Sequence, residues 1–135
     1  MNPPKKQSVI AEKAPKPIGP YSAGIRLDPL VFTAGQLGID RETGELAPGG
    51  IEAETRQALL NVKHILESGG SSLDLVVKTT VFMRDLGEFA RMNAVYAEFF
   101  PHQPPARSTV QVAALPKGGA VEIEAVAVVR SPKGD

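Results

Sequence analysis

Arg107 is the residue whose type and position most clearly suggest chemistry. It follows Pro104 and Pro105, which stiffen the backbone, and it opens a strand-like run. A guanidinium group presents a rigid fork of N–H donors that matches both oxygens of a carboxylate. From the residues alone two interpretations stay open: an ion pair with Glu122 or Glu124 in the same chain, or capture of a small carboxylate ligand.

Glu122 and Glu124 form a second candidate group. They point to the same face of a predicted strand, about 7 Å apart by the strand rise. Two carboxylates would repel each other if they were buried together, so each requires a partner. Either both are solvated or paired with cations, or one holds a water molecule for attack on an electrophilic carbon, as a general base or as an orienting group.

Two further polar residues are candidates for a pocket wall. Asn93 lies between Phe89 and Tyr96 on the apolar stripe of a predicted helix, where its amide must find a partner. That partner is either a neighbouring loop or a ligand. Tyr21 places an aromatic hydroxyl just before the first predicted strand, where it would serve as a hydrogen-bonding wall.

Composition narrows the chemistry that these residues can perform. The 135 residues suit one domain, the 15 basic and 15 acidic residues cancel, and cysteine is absent. His64 and His102 have no neighbouring metal-ligand residues, and the sequence has no phosphate-binding loop or nucleophile elbow. We therefore expect a cytoplasmic protein that needs no metal and no cofactor, binds neither nucleic acid nor membrane, and performs acid–base chemistry on a small reactive molecule.

Hydrophobic periodicity predicts the elements that position these residues. A flexible arm over residues 1–16 precedes a single domain over residues 17–131. Gly35 interrupts one predicted strand, which indicates a bulge or a close approach of another group to the backbone. The fold class is α+β, with both helices on one face of a mixed sheet. The predicted strands are 22–27, 30–37, 75–83, 108–114 and 120–130, and the predicted helices are 51–68 and 86–100.

The last predicted strand is apolar on both faces in its C-terminal half. Ala125 and Ala127 lie on one face, whereas Val126 and Val128 lie on the other. Two helices can cover only one face of a sheet, so the second face is expected to meet another copy of the protein. The sequence therefore predicts a homo-oligomer.

Several motifs, taken together and in this order, resemble the YjgF/Rid family of reactive intermediate deaminases. The resemblance extends from about Ile18 to Val129, nearly the whole chain. The motifs are Ile18-Gly19-Pro20-Tyr21-Ser22, Phe32-Thr33-Ala34-Gly35-Gln36, Thr55-Arg56-Gln57-Ala58-Leu59, Val77-Lys78-Thr79-Thr80-Val81-Phe82, Asn93-Ala94-Val95-Tyr96, Pro105-Ala106-Arg107-Ser108 and Val121-Glu122-Ile123-Glu124-Ala125.

The resemblance implies a fold and an activity. The fold would be a chorismate-mutase-like α+β sandwich with a six-stranded mixed sheet and two helices on one face, assembled as a homotrimer with active sites between subunits. The activity would be hydrolysis of 2-imino acids such as 2-iminobutanoate and 2-iminopropanoate, which pyridoxal-phosphate enzymes release, to 2-keto acids and ammonia. Alternatives are an aminoacrylate-type enamine deaminase of another pathway, and a non-enzymatic small-carboxylate-binding or chaperone-like protein.

The resemblance also implies residue roles. Arg107 would bind the substrate carboxylate, and Glu122 would position or activate the water. The other residues implied to bind substrate are Tyr21, Gly35 and Asn93, with Thr109 contributing its backbone. The chain departs from the family pattern where Ala23-Gly24 replaces Gln-Ala and where Ala34 replaces a common Ser, which affects the expected size of the pocket.

Overall fold

The computed structural model describes residues 3–131, which form seven strands and two α-helices. Single turns of 3-10 helix lie at Leu73–Leu75, Leu86–Glu88 and Pro116–Gly118. In chain order the elements are β1 (Gln7–Val9), β2 (Gly24–Leu27), β3 (Leu30–Thr33), β4 (Gln36–Leu37), α1 (Gly50–Ser68), β5 (Val76–Met83), α2 (Phe89–Phe99), β6 (Ala106–Gln111) and β7 (Val121–Val128).

All seven strands belong to one mixed sheet. The order is β1-β2-β3-β7-β5-β6, and β4 also pairs with β7. The β5–β6 pair is parallel and every other pair is antiparallel. The α+β class is confirmed, whereas the count of six strands was wrong. Two short strands add to the five that periodicity predicts: β1 is too brief to show alternation, and β4 is separated from β3, with which it was predicted as one strand.

The helices form where their apolar spacing predicts them. The buried side chains of α1 recur every three or four positions and include Ala58, Leu59, Val62 and Ile65. The second helix is shorter at its start than expected, because Leu86–Glu88 form a 3-10 turn.

Asp85 and Glu88 have the sequence spacing of a capping box, and the structure shows one half of it. The Asp85 carboxylate accepts the Gly87 N–H at 2.8 Å, as expected of an N-cap residue. The carboxylate of Glu88 instead pairs with Arg91.

The two faces of the sheet differ, as β7 shows. Val121, Ile123, Ala125 and Ala127 are buried, and they share one core with side chains of α1 and α2. We call this side the helix face. The alternate β7 residues, Glu122 through Val128, are only partly buried, and we call their side the open face.

The break between β3 and β4 is a β-bulge. Phe32 pairs with Val126 and Gln36 pairs with Ile123. The chain therefore advances four residues from β3 to β4 while β7 advances three, so one extra residue lies in the β3–β4 segment. The hydroxyl of Thr33 accepts the Ala125 N–H at 3.1 Å and so replaces a backbone partner in the ladder. Gly35 follows Thr33 in this segment, which confirms the bulge predicted from the glycine.

The first strand begins at Gln7, ahead of the predicted domain boundary at residue 17. It pairs with β2, and its Val9 packs with Ala23 and Ile65 in a small buried cluster. Hydrophobic periodicity predicts no strand in this segment. Between residues 3 and 131 no helix has both the length and the apolarity needed to cross a membrane.

Candidate functional site

Arg107 lies on β6, and the sheet register places it on the helix face. It stands opposite Thr79 of β5, which in turn stands opposite the buried Ala125 of β7. Residues that pair directly across strands project to the same face. The side chain of Arg107 therefore points towards the helix layer, and there it contacts α2.

Three side chains of α2 hold the guanidinium group of Arg107. Its Nη1 donates a 2.7 Å hydrogen bond to Oδ1 of Asn93. Its Cζ lies 4.6 Å from the ring centroid of Tyr96 and 5.4 Å from that of Phe89, both within cation–π range. Among residues 3–131 Arg107 forms no ion pair, so the alternative of a salt bridge to the β7 carboxylates is wrong.

Tyr96 is itself fixed by the sheet. Its hydroxyl shares a buried 2.7 Å hydrogen bond with the hydroxyl of Thr79, the residue opposite Arg107 on β5. Burial raises the pKa of the Tyr96 phenol, although the Thr79 hydrogen bond and the charge of Arg107 oppose that rise. The phenol therefore remains neutral at physiological pH, and its ring gives the cation a rigid support.

Glu122 lies elsewhere, in a cleft of about 810 Å³ on the open face. Gly35 is in contact with it: a Cβ atom built on Gly35 would come within 2.8 Å of the Glu122 Cδ. The close approach predicted from the glycine is therefore present. The cleft is lined by apolar residues and by cations at its rim, including Ile18, Leu37, Ile39, Arg41 and Lys117.

The carboxylate of Glu122 has an unusual environment. It is partly buried, and among residues 3–131 it has no hydrogen-bond or ion-pair partner. Burial, and secondarily the negative charge of Glu124, raise the pKa of Glu122 above that of an ordinary glutamate. A carboxylate of this kind suits a general base better than a structural ion pair.

Tyr21 is the third sequence-predicted residue in this cleft. Gly19 has a φ of 124°, and the turn that it permits brings the Ile18 N–H to within 3.4 Å of the Tyr21 hydroxyl. The Tyr21 side chain is half exposed. Its ring thus forms part of an open wall, with room for a ligand beside it.

The structure divides the six predicted site residues into two groups on opposite faces of the sheet. Thr109 pairs with the buried Val81 and so lies on the helix face with Arg107. The groups are Arg107, Asn93 and Thr109 on the helix face, and Tyr21, Gly35 and Glu122 on the open face. One copy of the chain therefore does not bring Arg107 and Glu122 into one pocket.

Sequence reasoning missed the aromatic support of Arg107. It assigned Phe89 and Tyr96 to the core, because both lie on the apolar stripe of α2. The indication was their spacing around Asn93, four residues before and three after, which places all three side chains on one helix face.

Within residues 3–131 no group of three or more His, Asp or Glu side chains could hold a metal ion.

Comparisons with known proteins identify the family of the chain. The sequence profile of the family described as endoribonuclease L-PSP matches residues 11–129. A RutC family protein of Pyrococcus abyssi is 50% identical over 122 residues, which cover 90% of this chain and 96% of that protein. The Bos taurus protein named 2-iminobutanoate/2-iminopropanoate deaminase is 48% identical over 120 residues, 89% of this chain and 88% of its own length.

A solved structure of a similar protein has the same fold. Escherichia coli TdcF with bound serine superposes with a TM-score of 0.86 at 45% identity, covering 90% of this chain and 98% of TdcF. Sequence profile, relatives and fold thus coincide over nearly the whole chain. The chain belongs to the endoribonuclease L-PSP family, which is the YjgF/RutC family that its motifs resemble.

Proposed function

We propose that this protein is a hydrolytic deaminase of small 2-imino acids, converting 2-iminobutanoate and 2-iminopropanoate to 2-keto acids and ammonia. The observation that carries the proposal is the partly buried Glu122 carboxylate, which has no partner within residues 3–131 and faces a cleft. Relatives at 45–48% identity that are named 2-iminobutanoate/2-iminopropanoate deaminase support it.

Arg107 is the proposed anchor for the substrate carboxylate. A guanidinium carries five N–H donors, so the bond to Asn93 leaves others for a two-oxygen anion. The rings of Phe89 and Tyr96 restrict its orientation before any ligand binds. Because TdcF was solved with bound serine, which carries an α-carboxylate, a small amino-acid-like ligand suits this family's fold.

Glu122 is the proposed base. It accepts a proton from a water molecule as the water oxygen bonds to C2 of the protonated imine. The resulting tetrahedral carbinolamine takes up that proton from Glu122 on its nitrogen. As the C–N bond breaks, the C2 hydroxyl gives its proton to the Glu122 carboxylate, the C2 carbonyl forms and ammonia leaves; Glu122 then passes the proton to the ammonia or to solvent. A protonated imine is already a strong electrophile, so orientation of carboxylate and water supplies most of the required acceleration.

The proposed assembly is a homotrimer with sites between subunits. Arg107 and Glu122 lie on opposite faces of the sheet, so one substrate can reach both only if they come from neighbouring copies. The half-exposed Phe32 and Val126 on the open face offer an apolar surface for such a neighbour.

A coupled assay tests the proposal. An amino-acid dehydratase acting on threonine releases 2-iminobutanoate, which semicarbazide captures in competition with hydrolysis. The intact protein should suppress semicarbazone formation, and Arg107→Ala should remove the effect. Loss of two charge-assisted hydrogen bonds, each about 1.5–3 kcal/mol, predicts a fall in kcat/KM of about 100-fold or more.

The matched control is Arg56→Ala. Arg56 is an exposed arginine of α1 that pairs with Glu98, away from both groups of site residues. This variant should retain full activity. If Arg107→Ala were as active as Arg56→Ala, Arg107 would have no part in the reaction; if the intact protein bound a small carboxylate without accelerating hydrolysis, it would be a binding protein.

A further inference from the structure

The walls of the Glu122 cleft are attached to α1 by two buried polar side chains. The first is Asn61, which is completely buried in the second half of the helix. Its Nδ2 donates to the carbonyl oxygens of Leu37 at 3.2 Å and Ile39 at 3.0 Å, and its Oδ1 accepts from Gln57. Asparagine is an unfavourable residue inside a helix, so these bonds account for its presence there.

The second side chain is Glu54, seven residues earlier and therefore on the same face of α1. Its Oε1 accepts the backbone N–H of Ala120 at 2.8 Å in a buried position. Ala120 immediately precedes β7 and follows the turn whose Pro116 and Lys117 line the cleft. Glu54 thus fixes the backbone that leads from this turn into β7, the strand that carries Glu122.

The sheet alone gives this region little support. β4 pairs with β7 through only two residue pairs, Gln36 with Ile123 and Leu37 with Glu122. Such a short pairing is marginal without further contacts. At Gly38 the chain packs directly on the backbone of Glu54, since a Cβ atom there would lie 2.4 Å from the Glu54 carbonyl oxygen.

We propose that Asn61 and Glu54 are positioning residues for the reaction: by fixing the Leu37–Ile39 and Ala120 backbones to α1, they set the place of the Glu122 carboxylate in its cleft. Neither side chain lines the cleft. Both act through backbone that adjoins Glu122: Leu37 is its partner on β4, and Ala120 precedes it by two residues in the chain. The inference rests on the proposed function for its catalytic meaning, but the position of the Glu122 carboxylate can be measured without any activity.

The experiment uses the full chain and titrates Glu122 by NMR, following its side-chain carboxyl carbon, together with kcat and KM for 2-iminobutanoate. Asn61→Leu keeps the branched shape and the number of heavy atoms of the side chain but leaves the Leu37 and Ile39 carbonyls without their donor. We expect a changed Glu122 titration midpoint and a kcat lowered about tenfold, with KM changed less, because the base moves while the Arg107 anchor does not.

A pair of substitutions at Glu54 tests the second attachment. The pair also tests the proposal if Asn61→Leu fails to fold. Glu54→Gln keeps an oxygen that can accept the Ala120 N–H, and it should retain both the Glu122 midpoint and kcat. Glu54→Ala removes the acceptor and should shift both. If Glu54→Ala changed neither the Glu122 midpoint nor kcat, or if Glu54→Gln and Glu54→Ala had equal effects, the proposal would be overturned.

The control is Thr55→Val on the same helix. Thr55 is as deeply buried as Asn61, but within residues 3–131 its hydroxyl has no hydrogen-bond partner, so the near-isosteric valine removes no attachment. This variant should leave the Glu122 titration unchanged.

A loss of thermal stability with an unchanged titration in Asn61→Leu and Glu54→Ala would mean a purely structural role. A shifted titration in a protein without deaminase activity would support the positioning and reject the proposed function.

Discussion

The carboxyl group of Glu122 links the stability of the protein to its proposed activity. Burial and the charge of Glu124 raise its pKa, so the folded chain resists ionisation of this group more than the unfolded chain does. Between the unfolded and folded pKa values the folded state binds more protons, and stability in that range falls as pH rises. A general base must be ionised to accept a proton. The proposed activity therefore requires the ionised form of Glu122, which is the form that lowers the stability of the folded state.

Glu122→Gln should therefore separate activity from stability. The variant should have a higher Tm than the intact protein at pH 7, because a carboxylate that is costly to bury is replaced by a neutral amide. Its kcat/KM should fall. In the intact protein kcat/KM should decline as pH drops through the raised pKa of Glu122, above the value of about 4.3 for an ordinary glutamate.

Thermal unfolding and a pH–rate profile check this prediction. The acid decline of kcat/KM should be absent from the residual activity of Glu122→Gln. A Gln variant with the same acid decline would assign the titration to another group, and a lower Tm would mean that the carboxylate has a stabilising partner in the assembled protein.

At the scale of elements, periodicity predicted the long elements and not the short ones. α1 and β7 were recognisable because each carries enough apolar residues to show a period of 3.6 or 2. β1 and β4 have three and two residues, too few for any period. The conformation of these short strands depends on partners distant in sequence, as the attachment of β4 to β7 and α1 shows.

Residue types predicted individual parts of the site but not their arrangement. The glycine at position 35 correctly indicated a bulge and a close approach, since both follow from local sterics. Arg107 and Glu122 lie on opposite faces of the sheet because of the register that β5 makes with β6 and with β7. This register is a property of the folded sheet. No local pattern in the sequence contains that register.

The bulge at Gly35 allows a specific prediction. In Gly35→Ala the new methyl group would lie 2.8–3.0 Å from Cδ, Cγ and Oε2 of Glu122, so the carboxylate must move. The φ of Gly35 is not in the left-handed region, so backbone strain is not expected. We expect kcat to fall about 10- to 100-fold, as for misplacement of a reacting group by about 1 Å, with little change in Tm.

A double-mutant cycle identifies the cause of that loss. If Gly35→Ala acts by displacing the Glu122 carboxylate, it should have almost no further effect on kcat in a Glu122→Ala background. Additive losses would show that Gly35 acts independently of Glu122, for example through its own backbone contact with the substrate.

At the scale of the whole molecule, the unassembled chain leaves both halves of the proposed site incomplete. The helix face presents an anchored cation without an anion, and the open face presents a carboxylate without a partner among residues 3–131. Phe32 and Val110 on the open face are 38% and 42% exposed, and they stand opposite the apolar Val126 and Phe82. Burial of this surface and completion of the site would be one event in the proposed trimer.

Mixed assemblies test this arrangement directly. Arg107→Ala and Glu122→Gln subunits, each strongly impaired alone, should regain activity when they are coexpressed and purified as mixed trimers through two different tags. In every mixed cyclic trimer one site of the three, roughly a third of the sites, would pair an intact Arg107 from one subunit with an intact Glu122 from its neighbour. Coexpressing Arg107→Ala with the double variant, which offers no intact Arg107, should restore nothing. Absence of rescue in verified mixed trimers would mean that each site takes both residues from one chain, and the opposite-face geometry would then have to change on assembly.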